Sequence, residues 1–223
     1  MSLILYSGPL SLFSRKVEIA LGEKGLPFER IMVPFTQAEG YAPKHPEVLK
    51  ANPKGQVPVL VDDYVTLFDS TLIIEYLEDA YTQTPLLPAS AVARAQCRLI
   101  ELMADEVVLP MVARLMYRTE PANTDQLQQD LVEKDGAIAE AELETTWQDL
   151  DNRLQGQHWF GEDFSIADIG MFMTLVFARR LGAPSWTQQE NLNAWFERMG
   201  DRPAPALAAR EIAAADRDLS PET

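Results

Sequence analysis

The chain is poor in the residues that carry metal and thiol chemistry. Cys97 is the single cysteine among 223 residues, which excludes an intrachain disulfide, and His45 and His158 are the only histidines. That stock is too small for a zinc or iron site built on thiolate and imidazole, so no metal is expected. Long apolar runs are missing as well. No stretch reaches the ~18 residues of a membrane-spanning helix, and the start MSLILYSGP lacks the basic head and long apolar body of a signal peptide. A cytoplasmic protein without a membrane partner is therefore expected. Positive charge is scarce: 19 Lys and Arg stand against 34 Asp and Glu, a formal net charge of -15. Such a surface repels phosphate backbones, so nucleic acid is excluded as a partner. The deficit is uneven, with 7 basic against 11 acidic residues in 1–82 and 12 against 23 thereafter. The first part is thus the better host for an anionic small molecule.

What is present is a large apolar fraction, 47% of the residues, enough for one large domain or two small ones. Residues 3–7 (LILYS) read as a buried strand, and Phe13, Val17, Ala20 and Leu21 then follow helical spacing until Gly25 ends the pattern. FERIMV (28–33) predicts a second strand, PEVLKANP (46–53) a short helix and VPVLV (57–61) a third strand. Asp62-Asp63 turns into YVTLF, and a helix starting near Asp69 runs through Ile73, Ile74 and Leu77. This βαβαββα order predicts a mixed four-stranded sheet of thioredoxin-like type, because the first strands need a helical crossover and the last two only a turn. TQTPLLPAS, with Pro85 and Pro88, breaks the pattern, so the chain divides into 1–82, a linker at 83–89 and an all-helical domain at 90–223. Helices are expected over 90–118, kinked at Pro110, and over 124–154, 165–181, 188–200 and 203–215, before a frayed polar tail. Ser165 and Asp168 in FSIADI form a capping box, with Phe164 and Ile169 as a hydrophobic staple.

Three places in residues 1–82 would converge in a thioredoxin-like fold. Val57-Pro58 is either a cis bond that turns the Val57 backbone outward for an extended peptide, or an ordinary trans proline opening a strand. Asp69-Ser70 is either a plain helix cap or a seat for a ligand's ammonium and carboxylate groups. Lys44 and Gln56 could add a cation and an amide for a second carboxylate. The turn after the first strand places Ser11-Leu12-Phe13-Ser14 where a redox protein needs two cysteines, and a hydroxyl cannot form a mixed disulfide. Ser11 at the turn either caps the helix or donates to a bound thiolate, and Ser14, one turn in, can donate back to the cap.

Three stretches, LYSGPLSLFSRKVEIAL, NPKGQVPVLVDDYVTLFDSTLIIEYLED and FSIADIGM, are similar to the soluble glutathione transferase family, of the bacterial kind with a serine-type active site. The resemblance implies that Ser11 faces the sulfur of glutathione as the catalytic residue and that Val57, ahead of Pro58, pairs with its cysteinyl unit. It further implies that Asp69 and Ser70 hold the γ-glutamyl head and that Lys44 and Gln56 lie near the glycyl end. The serine classes commonly carry Glu where this chain has Asp69, one methylene shorter. An electrophile pocket is expected from Leu10, Leu12, Met111, Arg114, Leu115 and Arg118. A homodimer follows by the same resemblance, with Asp105 a candidate to reach the partner's glutathione. The implied activity is attack of the glutathione thiol on small electrophiles. Two alternatives stand beside it: a non-catalytic protein similar to the stringent starvation proteins, with RNA polymerase as partner, and a glutathione-dependent peroxidase, isomerase or dehalogenase.

Overall fold

The computed structural model describes residues 3–36, 39–41, 44–120 and 124–220. The first strand, β1 (Leu3–Ser7), enters α1 (Leu12–Glu23), which crosses over to β2 (Phe28–Met32), so the two strands are parallel. After α2 (Pro46–Ala51) the chain enters β3 (Val59–Val61) and turns back as β4 (Thr66–Phe68), both antiparallel to their neighbours. Asp62 and Val65 close that turn with paired backbone bonds of 2.9 and 3.3 Å. The sheet order β2-β1-β3-β4 is the expected mixed arrangement. Strand alternation separates two apolar layers. Leu3, Leu5 and Leu60 pack with α1 and α3 (Ser70–Ala80), whereas Tyr6 and Val59 pack with Val33 and with Val48 of α2.

Everything after the sheet is helical. The long helix expected over 90–118 is broken, and Pro110 supplies the reason. The first piece, α4 (Ala91–Met103), runs into one π-helical turn at Ala104–Val108, followed by α5 (Leu109–Ala113) and a 3-10 turn at Met116–Thr119. Pro110 has no N–H for the Glu106 carbonyl, and the Leu109 amide reaches back to Ala104 O, widening the turn. Then come α6 (Gln126–Arg153), α7 (Ile166–Arg180), α8 (Glu190–Gly200) and α9 (Pro203–Leu219). The last helix runs four residues past its expected end because Arg180 pairs with Asp216 at 2.6 Å, and the final three residues of the tail lie outside the described set.

The central helix is α7, buried on every side from Ile166 to Ala178. It packs on α4, α1 and α9. Gly170 permits the approach of α4, since a Cβ there would stand 3.2 Å from Glu101 Cγ. The capping box at the start of α7 is present, and the buried Asp168 carboxylate also accepts from the Phe160 amide (3.0 Å) and Trp195 Nε1 (2.8 Å). The structure is thus a thioredoxin-like N-terminal domain with a mixed sheet, joined to an all-helical C-terminal domain.

Candidate functional site

The turn between β1 and α1 closes with Ser11 N donating to Gly8 O at 3.2 Å. Ser11 caps α1 from an extended backbone (φ -82, ψ 104). Its Oγ accepts the Ser14 amide at 3.2 Å and the Ser14 hydroxyl at 3.1 Å. Ser14 is fully buried and Ser11 is partly open. Ser11 is therefore a cap whose oxygen is supplied with donors and whose own hydrogen is uncommitted, at the positive end of a three-turn helix.

Across the sheet edge the Val57–Pro58 peptide is cis. The loop before it is held by a residue that the sequence reading passed over. Buried Asn52 donates Nδ2 to Gln56 O at 2.7 Å and accepts the Lys54 amide at 2.9 Å. Asp69 caps α3 through Oδ1, which accepts the Thr71 and Leu72 amides at 3.1 and 3.2 Å. It does so at φ 77, a left-handed backbone that non-glycine residues seldom adopt, and it keeps Oδ2 uncommitted beside buried Ser70.

These elements surround a cavity of about 230 Å³. Gln56, Val57, Pro58, Asp69 and Ser70 line it, five expected residues drawn from two separate segments. Lys44 is not among them. Its aliphatic stem packs over Gly55, 3.4 Å from where a Cβ would stand, and it borders a small void with His45 and Val57 instead. Lys54 is the cation on the cavity wall. Phe13, Asn52, Phe68, Thr71, Asp105 and Glu106 complete the wall. Ser11 does not line it; α1 enters through Phe13, two residues on. A larger cavity of about 510 Å³ lies between the start of α4 and the loop before α7. It gathers none of the expected ligand-binding residues, so the smaller cavity is the candidate site.

Asp105 is placed beside the cavity by a buried lysine. Expected from the resemblance as a candidate to reach a partner, it lines its own chain's cavity, with Oδ2 on Lys16 Nζ at 2.6 Å. Burial pushes its carboxyl above the ordinary range, against the pull of Lys16, and Glu101 and Asp69 push the same way. Lys16 is fully buried and also donates to Glu101 Oε1 at 2.5 Å, which accepts Thr71 Oγ1 at 2.7 Å. Neither Lys16 nor Glu101 carries a local motif, since the partners lie 85 residues apart.

None of the residues expected of an electrophile pocket lines either of these two cavities. Leu10, Leu12 and Leu115 are buried in packing, and Met111 packs against the core and receives the Thr146 hydroxyl. Arg114 is taken up by Asp135 and Glu142, and Arg118 by Glu140 and the Gly182 carbonyl. Among the described residues no group of three His, Cys, Asp or Glu is placed to hold a metal ion, and no helix is long and apolar enough to cross a membrane.

Gln56, Val57, Pro58, Asp69 and Ser70 fall in residues 5–85, which match the family model described as the glutathione S-transferase N-terminal domain, while residues 124–198 match its C-terminal domain. A stringent starvation protein A homolog from Pasteurella multocida is 28% identical over 200 residues, 89% of this chain and 85% of that protein. The structure of a glutathione S-transferase from Xylella fastidiosa superposes with a TM-score of 0.79 at 26% identity, covering 95% of this chain and 98% of the other. Glutathione S-transferase 3 from Zea mays is 30% identical over 211 residues, 90% of each chain, and with that extent of match the chain belongs to the glutathione S-transferase family.

Proposed function

We propose that the protein is a serine-type glutathione transferase that binds glutathione in the cavity between the cis-proline loop and the start of α3. The observation that carries this reading is the meeting of Gln56-Val57-Pro58 with Asp69-Ser70 on one cavity wall. Val57 then offers its backbone to the cysteinyl unit, as a strand edge does. Asp69 and Ser70, with the amides of α3, take the γ-glutamyl head, and Lys54 takes over the anionic glycyl end assigned to Lys44 by resemblance.

Ser11 then donates its uncommitted hydrogen to the glutathione sulfur. A thiol with pKa about 8.5 is only about 3% ionised at pH 7, and lowering that pKa by about two units requires about 2.7 kcal/mol of preferential thiolate binding. One charge-assisted hydrogen bond contributes about 1.5 to 3 kcal/mol and a helix N-terminus about 0.3 to 1 kcal/mol, which together suffice. The thiolate pair attacks an electrophilic carbon, the carbon–sulfur bond forms, and the leaving group departs with its electron pair. The thiol proton goes to solvent.

A non-catalytic role like that of the stringent starvation relatives is the second reading, favoured by Ser11 standing off the cavity wall. Calorimetry with glutathione, followed by a panel of aromatic halides, hydroperoxides and isothiocyanates, separates the two. Saturable binding with turnover supports the transferase or a peroxidase variant of it, and no binding at about 10 mM rejects both. A homodimer belongs to this reading. Leu72 of α3 and Val92, Leu99 and Leu102 of α4 are exposed apolar residues on the helices expected to meet a second copy.

A further inference from the structure

Tyr41 stands over the turn that carries Ser11, and Gly8 is the point of contact. A Cβ on Gly8 would lie 2.5 Å from the Tyr41 hydroxyl oxygen and 2.6 and 2.7 Å from two ring carbons, so the ring fills the space that any side chain at 8 would need. Gly8 is buried, and its carbonyl accepts the Ser11 amide at 3.2 Å, the bond that closes the turn. The ring thus reaches Ser11 through a single residue. Its own seat is built from several sides. The Thr36 amide donates to Gly40 O at 2.9 Å just ahead of Tyr41, and Phe35 meets the ring edge-on at 4.8 Å. Tyr41 packs on the apolar layer of Tyr6, Val33, Val48 and Val59, and it shares with Val57 the wall of the small void beside Lys44. One side chain therefore borders both the turn that holds Ser11 and the loop that holds Val57. The hydroxyl is not the working part. Its oxygen is buried without a hydrogen-bond partner, and burial pushes the phenol up to about 12 against the pull of the nearby Leu10 backbone, Arg15 and Arg180. The group is neutral at pH 7 and closed to a ligand. What the ring supplies is bulk, pressed on a backbone with no side chain to yield, and a close-packed interior passes such a displacement on.

We propose that Tyr41 is the positioning residue of the thiolate site: its ring, pressed on Gly8, fixes the β1–α1 turn so that the Ser11 hydroxyl is aimed at a sulfur held beside Val57. The inference rests on the glutathione reading above, in which Val57 takes the cysteinyl unit and Ser11 donates to its sulfur. A hydrogen bond weakens steeply as its angle closes, so a small shift of the turn is felt at the sulfur first. Affinity is carried by the two ends of the tripeptide, which Tyr41 does not hold.

The test titrates the bound thiol by ultraviolet absorbance and measures binding by calorimetry. Tyr41→Ala should raise the pKa of bound glutathione toward its free value and slow conjugation at pH 7 about 3- to 30-fold, with Kd changed less than about threefold. Tyr41→Phe keeps the ring and should restore the wild-type pKa. A loss in Tyr41→Phe equal to that in Tyr41→Ala would make the hydroxyl the acting group and overturn the proposal. In a Ser11→Ala background, Tyr41→Ala should add almost nothing, because the group it aims is gone, and an undiminished effect there would show that Tyr41 acts elsewhere. Tyr41→Leu keeps the apolar bulk without the flat ring and carries the same test if Tyr41→Ala does not fold. Without any ligand, hydrogen exchange of the Ser11 amide should accelerate in Tyr41→Ala, and an unchanged rate would break the link between the two residues whether or not glutathione binds. Wild-type protein that does not bind glutathione at about 10 mM rejects the glutathione reading itself, whereas binding with a bound-thiol pKa that ignores Tyr41→Ala rejects only the role of Tyr41.

Discussion

The Ser14 hydroxyl donates to Ser11 Oγ at 3.1 Å, and the Ser14 amide reaches the same oxygen at 3.2 Å. Both lone pairs of Ser11 are engaged from inside the helix, so the only thing Ser11 has left to give is its proton. This orders the two hydroxyls that the sequence leaves as alternatives.

Replacing Ser11 with Ala should therefore raise the pKa of bound glutathione toward its free value and slow conjugation about 10- to 1000-fold at pH 7, a loss of about 1.4 to 4 kcal/mol. Glutathione affinity should barely change. Ser14→Ala should disturb the bound thiol less, because it removes a donor to Ser11 and not the hydrogen aimed at sulfur. Titration of thiolate ultraviolet absorbance in both variants measures this, and a larger shift in Ser14→Ala would reverse the assignment.

Asp69 combines a cap, a positive φ and a ligand role, and glycine separates them. Gly tolerates φ 77 and is a passable cap, so Asp69→Gly should cost no more than about 1 kcal/mol of stability. Glutathione binding should still weaken about tenfold or more, with turnover of bound substrate preserved. Denaturant melts and steady-state kinetics read the two effects separately. A fall in kcat alone would remove Asp69 from the binding site.

Asp168 answers four buried donors, the Phe160 and Ser165 amides, the Ser165 hydroxyl and Trp195 Nε1. Truncation to Ala strands all of them, and a loss of about 3 kcal/mol or more is expected in chemical denaturation. The folded fraction should keep its KM for glutathione. A selective loss of activity with normal stability would contradict the structural role.

Acid should loosen the contact between α9 and α1. Burial raises the Glu211 carboxyl, but its hydrogen bond to Arg30 and the charge of Arg15 outweigh that, and the net shift is downward. A depressed carboxylate contributes stability that is present above its unfolded pKa and lost as pH falls through the folded value. Hydrogen exchange in α9 should accelerate below the ordinary glutamate range, and Glu211→Gln should flatten that dependence. Exchange in α9 that ignores acid in the wild type would dismiss the link.

The exposed apolar face of α3 and α4 gives the fifth expectation. Leu99→Asp should convert a dimer to a folded monomer in sedimentation, because Leu99 is 53% exposed and contributes nothing to the chain's own core. A wild-type protein that sediments as a monomer at micromolar concentration ends the dimer reading.

The parts legible in the sequence are those with local causes. The buried strand LILYS, the βαβαββα order and the Ser165–Asp168 box each depend on residues close in the chain, and each is present as expected. Val57-Pro58 and Asp69-Ser70 were legible as pairs because each is a short segment of adjacent residues. The partners of Arg114 and Arg118 were not, because both find acids on α6, and helical spacing does not reveal which neighbour a long side chain will choose. The place of Lys54 on the cavity wall was hidden for a similar reason: Asn52 sets the course of the loop, and its two bonds leave no periodic trace. The Lys16 cluster joins α1 to α4 across a sequence gap that no pattern spans.

Gly170 stands on the far side of that cluster, and its missing side chain acts at a distance. Glu101 rests on it, Lys16 rests on Glu101, and Asp105 rests on Lys16. A methyl group at 170 would press on Glu101 Cγ from 3.2 Å and pass the displacement along this chain of contacts to the cavity wall. The aperture of the binding cavity is in this sense gauged from behind, by a hydrogen atom in the middle of a helix that no ligand touches.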